Sequence, residues 1–404
     1  MLRSRSVFRA ALLVLIAASS ASAQKNKGDP GRPELPAGAD TNDAQAYYDY
    51  GLSKMQREPG KAADAFYWAM RLNPGFADAY YGRRSALLLT DRYRFQKYYQ
   101  DDKRTLQSAE IKRIDSLYLY SLTINPFLYR KLDLVLYRAW LGIISDDIAR
   151  SNNVSSTEVQ YYLEQMLRDA PPEFRAWAAY GEGRFDDALK LYADAIKRSR
   201  NKAYYRINRG RLFFQLNEAD SALTELRLAL EDLRKMDKKD LVYIYESKAL
   251  LEHSIGLVHQ RLGNLPAAKE AFGRALAEDL SYFPAHVQLG YMALEAKDTT
   301  TALSEMDLAV QIRADDPALR YVYGYTLAVS GKYKEAEEQL RKTMELDPYY
   351  AAPHHVLGQV LDQQGKAPEA LAAYRGFLAR ASRNDLRRAE AEERVKELAS
   401  RGGE

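Results

Sequence analysis

Five histidines and no cysteine leave this chain few ways to carry out bond-making chemistry. His253 and His259 lie six residues apart, whereas two ligands on one helical face need a spacing of about four. His354 and His355 are adjacent and so point apart from one another. The missing cysteine excludes thiolate nucleophiles, disulfides and a thioether-linked lipid. No glycine-rich phosphate loop follows a strand pattern, and no serine, histidine and acid trio has a recognisable local signature. Carboxylates are plentiful but fall on charged helical faces, where solvation or pairing one turn apart accounts for them. The expectation is therefore no catalytic residue, no metal and no cofactor. One charge feature invites another kind of chemistry. Lys197, Arg198, Arg200, Lys202, Arg206, Arg209 and Arg211 fall between Ile196 and Arg211 with no acid among them. The run could recognise an anion. Alternatively Asp186, Asp187, Asp194, Asp220 and Glu225 neutralise it, and surface pairs of that kind contribute little.

A helical repeat positions these residues. A small residue recurs at Gly256, Gly290, Gly324 and Gly358, always 34 residues apart. A second recurs at Ala268, Ala302, Ala336 and Ala370, a large apolar one at Phe272, Met306, Leu340 and Tyr374, and a turn glycine at Gly263, Gly331 and Gly365. Glycine inside a helix costs about 1 kcal/mol relative to alanine, so four at one helical position need a compensating gain. Close packing supplies it if the first helix of each unit lies antiparallel on the second, glycine facing alanine, with the large residue filling the neighbouring gap. One such hairpin cannot bury its apolar face alone. Stacked hairpins share a continuous core in which each unit touches only its neighbours. The core then serves stacking, and the concave face is left to bind.

These residues resemble the tetratricopeptide repeat, which has a small residue at the eighth position, alanine at the twentieth, a large residue at the twenty-fourth, a small one at the twenty-seventh and proline at the thirty-second. Units starting at Ala249, Phe283, Pro317 and Ala351 satisfy the eighth and twentieth throughout. The twenty-seventh is Ala275, Ala309, Thr343 and then Phe377, and the proline is present as Pro348 but replaced by Leu280 and Ala314. The resemblance implies an all-α fold, a right-handed α-solenoid of stacked antiparallel helix pairs, that binds peptides or assembles complexes. In that family the fifth and ninth positions of the first helix are among those lining the groove. Here they are Ile207 and Arg211, His253 and Leu257, Val287 and Tyr291, Tyr321 and Tyr325, and His355 and Gln359. The expected partner-binding set is Tyr291, Tyr321, Tyr325, His253, Leu257, His355 and Gln359, joined by Arg206 and Arg211 from the basic run. A tyrosine ring offers contact area at low entropic cost, and its hydroxyl directs one hydrogen bond. Tyr321 and Tyr325 could equally pack on one another, one turn apart. The lysine and asparagine set by which some family members clamp a terminal carboxylate is not reproduced. A protein or peptide partner is the first expectation, and a small ligand or envelope glycan stacked on the tyrosines is the alternative.

Residues 1–23 read as a secretory signal: Arg3, Arg5 and Arg9, an apolar run from Ala10 to Ala18, then Ala21-Ser22-Ala23 before Gln24. The run is far short of the roughly 20 apolar residues of a spanning helix. An exported bacterial protein, periplasmic or secreted, without an integral membrane segment after cleavage is expected, and a chain of this size can fold there without disulfides. The formal charge of +4 moves toward neutrality once those arginines leave. That balance gives no general attraction to nucleic acid or an anionic membrane. Residues 24–42, with Pro30, Pro33 and Pro36 and almost no apolar side chains, read as a flexible leader. Repeat-like units follow over 43–126. Ala62, Phe66, Ala69 and Asn73-Pro74 carry one, with Gly51 one place off the small position; Tyr118, Ser121 and Asn125-Pro126 close another, with an insertion around Asp91 to Ala109. Residues 127–168 read as helical without an assigned repeat. About six units fill 169–384, with an insertion near 231–248. Residues 385–404 read as a charged capping helix and tail with a thin apolar line of Leu386, Val395 and Leu398.

Overall fold

The computed structural model describes residues 28–100, 102–236 and 247–401. The signal expected over 1–23 and the middle of the insertion expected near 231–248 lie outside the described residues. Among those residues the fold is an all-α solenoid of 21 helices with no strand. The helices are α1 (Ala44–Lys54), α2 (Pro59–Leu72), α3 (Ala77–Leu89), α4 (Arg92–Tyr99), α5 (Lys103–Leu106), α6 (Ala109–Ile124), α7 (Leu132–Asn152), α8 (Ser156–Arg168), α9 (Pro172–Gly181), α10 (Phe185–Arg198) and α11 (Lys202–Gln215). They continue with α12 (Ala219–Met236), α13 (Lys248–Arg261), α14 (Leu265–Glu278), α15 (Phe283–Glu295), α16 (Thr299–Ile312), α17 (Pro317–Val329), α18 (Tyr333–Leu346), α19 (Ala352–Gln363), α20 (Ala367–Arg380) and α21 (Arg388–Arg401). The insertion expected around Asp91 to Ala109 is α4, α5 and their turns, and the segment without an assigned repeat is α7 and α8.

Helix starts follow local chemistry. The side chains of Asn201, Ser247, Asn264, Asp298 and Asp316 accept from amides in the first turn of their helices, satisfying donors that have no intrahelical partner. Between the helices of a pair the chain turns through the left-handed region, with φ of +73° to +74° at Gly263, Gly331 and Gly365. Lys297 takes the equivalent place at φ +62° without the freedom of glycine.

The small residue in each first helix makes room for the large apolar side chain of the second, where the sequence pattern suggested a facing alanine. A Cβ added to Gly290 would sit 2.8 Å from Met306 Cε, and one on Gly358 would sit 2.8 Å from the Tyr374 ring. Gly51, one place off register in the sequence, does the same work: its added Cβ would meet Phe66 at 2.8 Å, and one on Gly82 would meet the same ring at 2.7 Å. The alanines of the second helices, Ala268, Ala302, Ala336 and Ala370, are wholly buried beside these contacts.

Contacts divide the chain into two compact units. The first takes 56–60 and 84–280. Its core includes Ile207, Ala222, Leu226, Leu251, Ile255 and Ala271 across α11 to α14, and Phe127 joins that cluster from the turn before α7. The second is the more discontinuous and, among the described residues, takes 28–55, 61–83 and 281–401. Its core runs through Leu340, Leu357, Val360, Tyr374 and Phe377 to Ala391 and Leu398 of the capping helix. Leu386, expected on the apolar line of that cap, is instead 96% exposed.

In this second unit the expectation that each hairpin touches only its neighbours is corrected. The Trp68 ring of α2 lies 4.8 Å from Tyr349, edge to face, and Arg71 lies 3.4 Å from Asp347. The expectation of a flexible leader is corrected as well, since the described part makes specific contacts. Trp68 Nε1 donates to the Pro30 carbonyl at 3.0 Å, and Arg383 donates to the Gly38 carbonyl at 2.9 Å.

Candidate partner-binding surface

In the discontinuous unit, α15 presents Tyr291 and α17 presents Tyr321 and Tyr325 as one patch. Burial holds the Tyr291 hydroxyl above its ordinary pKa, and its neighbours Tyr321 and Tyr325 push it in the same direction. Tyr325 is 41% exposed, and Val329, one turn further along the same helix, is 55% exposed. Residues four apart share a helical face, so these two form an open apolar edge beside two half-buried hydroxyls. Tyr321 is less available. Its ring meets Tyr350 at 5.2 Å, nearly edge to face, and its hydroxyl takes a hydrogen bond from Arg387. Arg387 is in turn anchored on Asp385 at 2.7 Å.

The chain itself takes up His355 and Gln359. His355 is 3% exposed, with its ring 5.0 Å from Phe377 and Nε2 3.6 Å from Glu390. Gln359 Nε2 donates to Glu390 Oε1 at 3.0 Å. Below them Arg394 of the capping helix grips Asp362 through Nε at 2.6 Å and a second nitrogen at 3.0 Å, the bidentate geometry for which guanidinium is suited. The start of the cap therefore covers the two expected groove positions of the last regular hairpin.

In the other unit the expected residues are likewise engaged from within. His253 is 2% exposed against the Phe272 ring, and burial pushes its pKa down to about 3, so it stays neutral. Leu257 is half-buried against the core of α11 to α14. Arg211 is 4% exposed, and its Nε donates to the Pro126 carbonyl at 2.7 Å. Phe127 stacks on Phe214 at 3.7 Å, and Gln215 donates to the Phe127 carbonyl at 2.7 Å. The groove side of α11 is thus filled by the turn after α6. Arg206 lies 2.9 Å from Asp232 and 3.7 Å from Glu225, and Arg209 lies 2.6 Å from the same Glu225. Of the acids expected to neutralise the basic run, Glu225 does so, and Asp194 pairs with Lys197 at 3.1 Å. Asp232 is the partner that the sequence reading missed.

The remaining histidines have structural surroundings. His286 Nδ1 lies 2.7 Å from Glu305, and burial pushes His354 down to about 4. Among the described residues no group of three or more histidines and acids is placed to hold a metal ion, and no helix is long and apolar enough to cross a membrane.

The paired helices and their recurring glycines define a helical-repeat scaffold. A family model described as tetratricopeptide repeat matches residues 175–235, 254–318 and 324–385. Those stretches support the tetratricopeptide repeat family, whose members generally mediate protein–protein interactions. The chain is 28% identical over 132 residues to the protein O-mannosyl-transferase Tmtc1 of Drosophila melanogaster, a match covering 32% of this chain and 14% of that protein. It is 33% identical over 90 residues to Hsc70-interacting protein 1 of the same organism, covering 22% and 24%. The chain therefore spans less than a quarter of the length of either curated relative. Among solved structures it resembles the C-terminal part of a TPR repeat-containing protein of Cytophaga hutchinsonii, with 15% identity and a TM-score of 0.42 over 51% of this chain and 77% of that one.

Proposed function

We propose that this protein is a non-catalytic interaction scaffold or adaptor, exported to the bacterial periplasm, that binds a peptide segment of a partner protein across Tyr291, Tyr321 and Tyr325. One observation carries the reading: three tyrosines from two successive first helices share a patch whose outer edge, Tyr325 and Val329, is open. Two rings with hydroxyls beside an apolar edge suit a partner segment lying across neighbouring repeats. The general role of tetratricopeptide repeats in protein–protein interaction supports it. The resemblance of residues 1–23 to a secretory signal supports export.

The test places a photo-crosslinking phenylalanine at position 325 of the full chain, in cells. It should yield a covalent adduct to a protein, and replacing Tyr291 and Tyr321 by alanine should abolish that adduct with the helical circular dichroism nearly unchanged. The same preparation should begin at Gln24 and come from the periplasmic fraction. An adduct to glycan favours the small-ligand alternative. An adduct that survives the substitutions while the melting temperature falls would show the tyrosines to be packing residues.

A further inference from the structure

Residues 29–40 are held the way a receptor holds a peptide. None of residues 28–43 is buried, so the stretch adds nothing to the apolar core, and it forms no helix or strand. Its contacts are directional. The Arg32 guanidinium lies 5.0 Å from the Trp68 ring and 5.2 Å from the Tyr47 ring. The Trp68 indole donates to the Pro30 carbonyl at 3.0 Å, and the Tyr67 hydroxyl donates to the Asp29 carboxylate. At the far end Arg383 donates from its backbone to Asp40 at 2.5 Å and from its side chain to the Gly38 carbonyl at 2.9 Å, and Asn42 donates to the Ala379 carbonyl at 3.0 Å. Indole and guanidinium donors on backbone carbonyls, with a cation set against two aromatic rings, are the devices by which non-helical segments are recognised in trans.

The receiving side is supported without help from its occupant. Trp68 packs on Tyr349 at 4.8 Å and on Tyr67 at 5.8 Å, both edge to face. Arg83 lies 4.3 Å over Tyr67, and Arg71 lies 5.3 Å over Tyr349. These contacts hold the aromatic wall without involving residues 29–40. With the segment seated, Tyr47 is 1% exposed and Trp68 is 4% exposed.

We propose that the surface formed by Tyr47, Tyr67, Trp68 and Arg383 is a second peptide-binding site and that residues 29–40 are its tethered occupant. The ligand class is a proline-containing, non-helical segment with one arginine and a carboxylate three residues before it. This site shares no residue with the tyrosine patch and does not depend on it. A tethered segment holds its site through a high effective concentration, so an untethered copy competes poorly until the tethered contact is weakened.

Arg32→Ala in the full chain weakens that contact and leaves the receiving rings in place. A fluorescein-labelled peptide of residues 28–43, followed by anisotropy, should bind R32A at least about ten-fold more tightly than it binds the unaltered chain. R32A/R383A should lose about ten-fold of that affinity, and R32A/W68A should lose all detectable binding. Circular dichroism checks that each variant folds. If W68A does not, R32A/R383A decides, because the Arg383 side chain is 64% exposed and contributes no core. A folded R32A chain that fails to bind the peptide, or that binds it as well with Arg383→Ala as without, overturns the proposal.

Discussion

Asp347→Asn should raise stability at pH 8 and leave it nearly unchanged at pH 4. Asp347 follows the last turn of α18 with 3% exposure; Arg71 Nε lies 3.4 Å away, and the carboxylate accepts from the Tyr349 amide at 3.2 Å. Burial is the dominant influence and pushes its pKa up to about 7, against the opposing pull of Arg71 and the Tyr349 amide and with a smaller push from Asp29. Tyr80 also faces it. Unfolded, the carboxyl releases its proton near pH 4; folded, it holds the proton to about 7. The folded state therefore binds more protons between those values. Stability is complete below about pH 4, declines as pH rises toward 7, and is flat above that. A difference of about three pKa units corresponds to roughly 4 kcal/mol, and the attraction of Arg71 is already contained in it. Asparagine keeps an acceptor for the Tyr349 amide and carries no charge, so the variant should gain about 2–4 kcal/mol at pH 8 and match the unaltered chain within about 1 kcal/mol at pH 4. In a W140F/W177F background Trp68, packed on Tyr349, becomes the single indole and reports on this unit. Urea unfolding at pH 4, 6 and 8 reads the effect. Parallel pH profiles for the two chains would refute the reasoning.

Two further outcomes follow from packing and backbone geometry. A Cβ on Gly324 would sit 3.0 Å from Leu340 Cγ, so Gly324→Leu should cost about 1–3 kcal/mol or more by overpacking. Hydrogen exchange should show lost protection in α17 and α18 and also in α1 and α2, which belong to the same unit; loss confined to α15 to α20 would count against the discontinuous unit. Lys297→Gly should gain about 0.5–1 kcal/mol in urea midpoints, since a side chain in the left-handed region costs roughly 1–2 kcal/mol and glycine returns part of that through the unfolded chain.

The repeat was legible because it depends on few contacts that each unit repeats. Gly290 with Met306, and Gly358 with Tyr374, leave a 34-residue signature that survives wherever the packing is local in sequence. What covers the groove was not legible. A position rule gives the direction in which His253, His355 or Arg211 points along its helix, but not that Pro126 or Glu390 would arrive from elsewhere to meet it. Arg211 did carry a signal, since a groove arginine with no acid one helical turn away needs an acceptor, and a backbone carbonyl supplied one. The leader was misread for a related reason. Low apolar content argues against a core, and residues 28–43 indeed provide none, but cation–π and carbonyl contacts hold a segment without burying it. Tyr350 and Arg387, which complete the tyrosine patch, lie outside the repeat positions from which the site was read.

The discontinuous unit has a consequence for the order of events during synthesis. A stack of nearest neighbours can form behind the ribosome, each hairpin settling on the one made before it. Here Tyr349 and Asp347 emerge about 280 residues after Trp68 and Arg71, and Arg383 later still. Joining them closes a loop of about 280 residues in place of one about 34 long, which costs roughly 1.9 kcal/mol more chain entropy and slows the step. Until then the contacts of α2 with Tyr349 and Asp347 are unmade, so a hairpin made before the 84–280 unit is completed only after it.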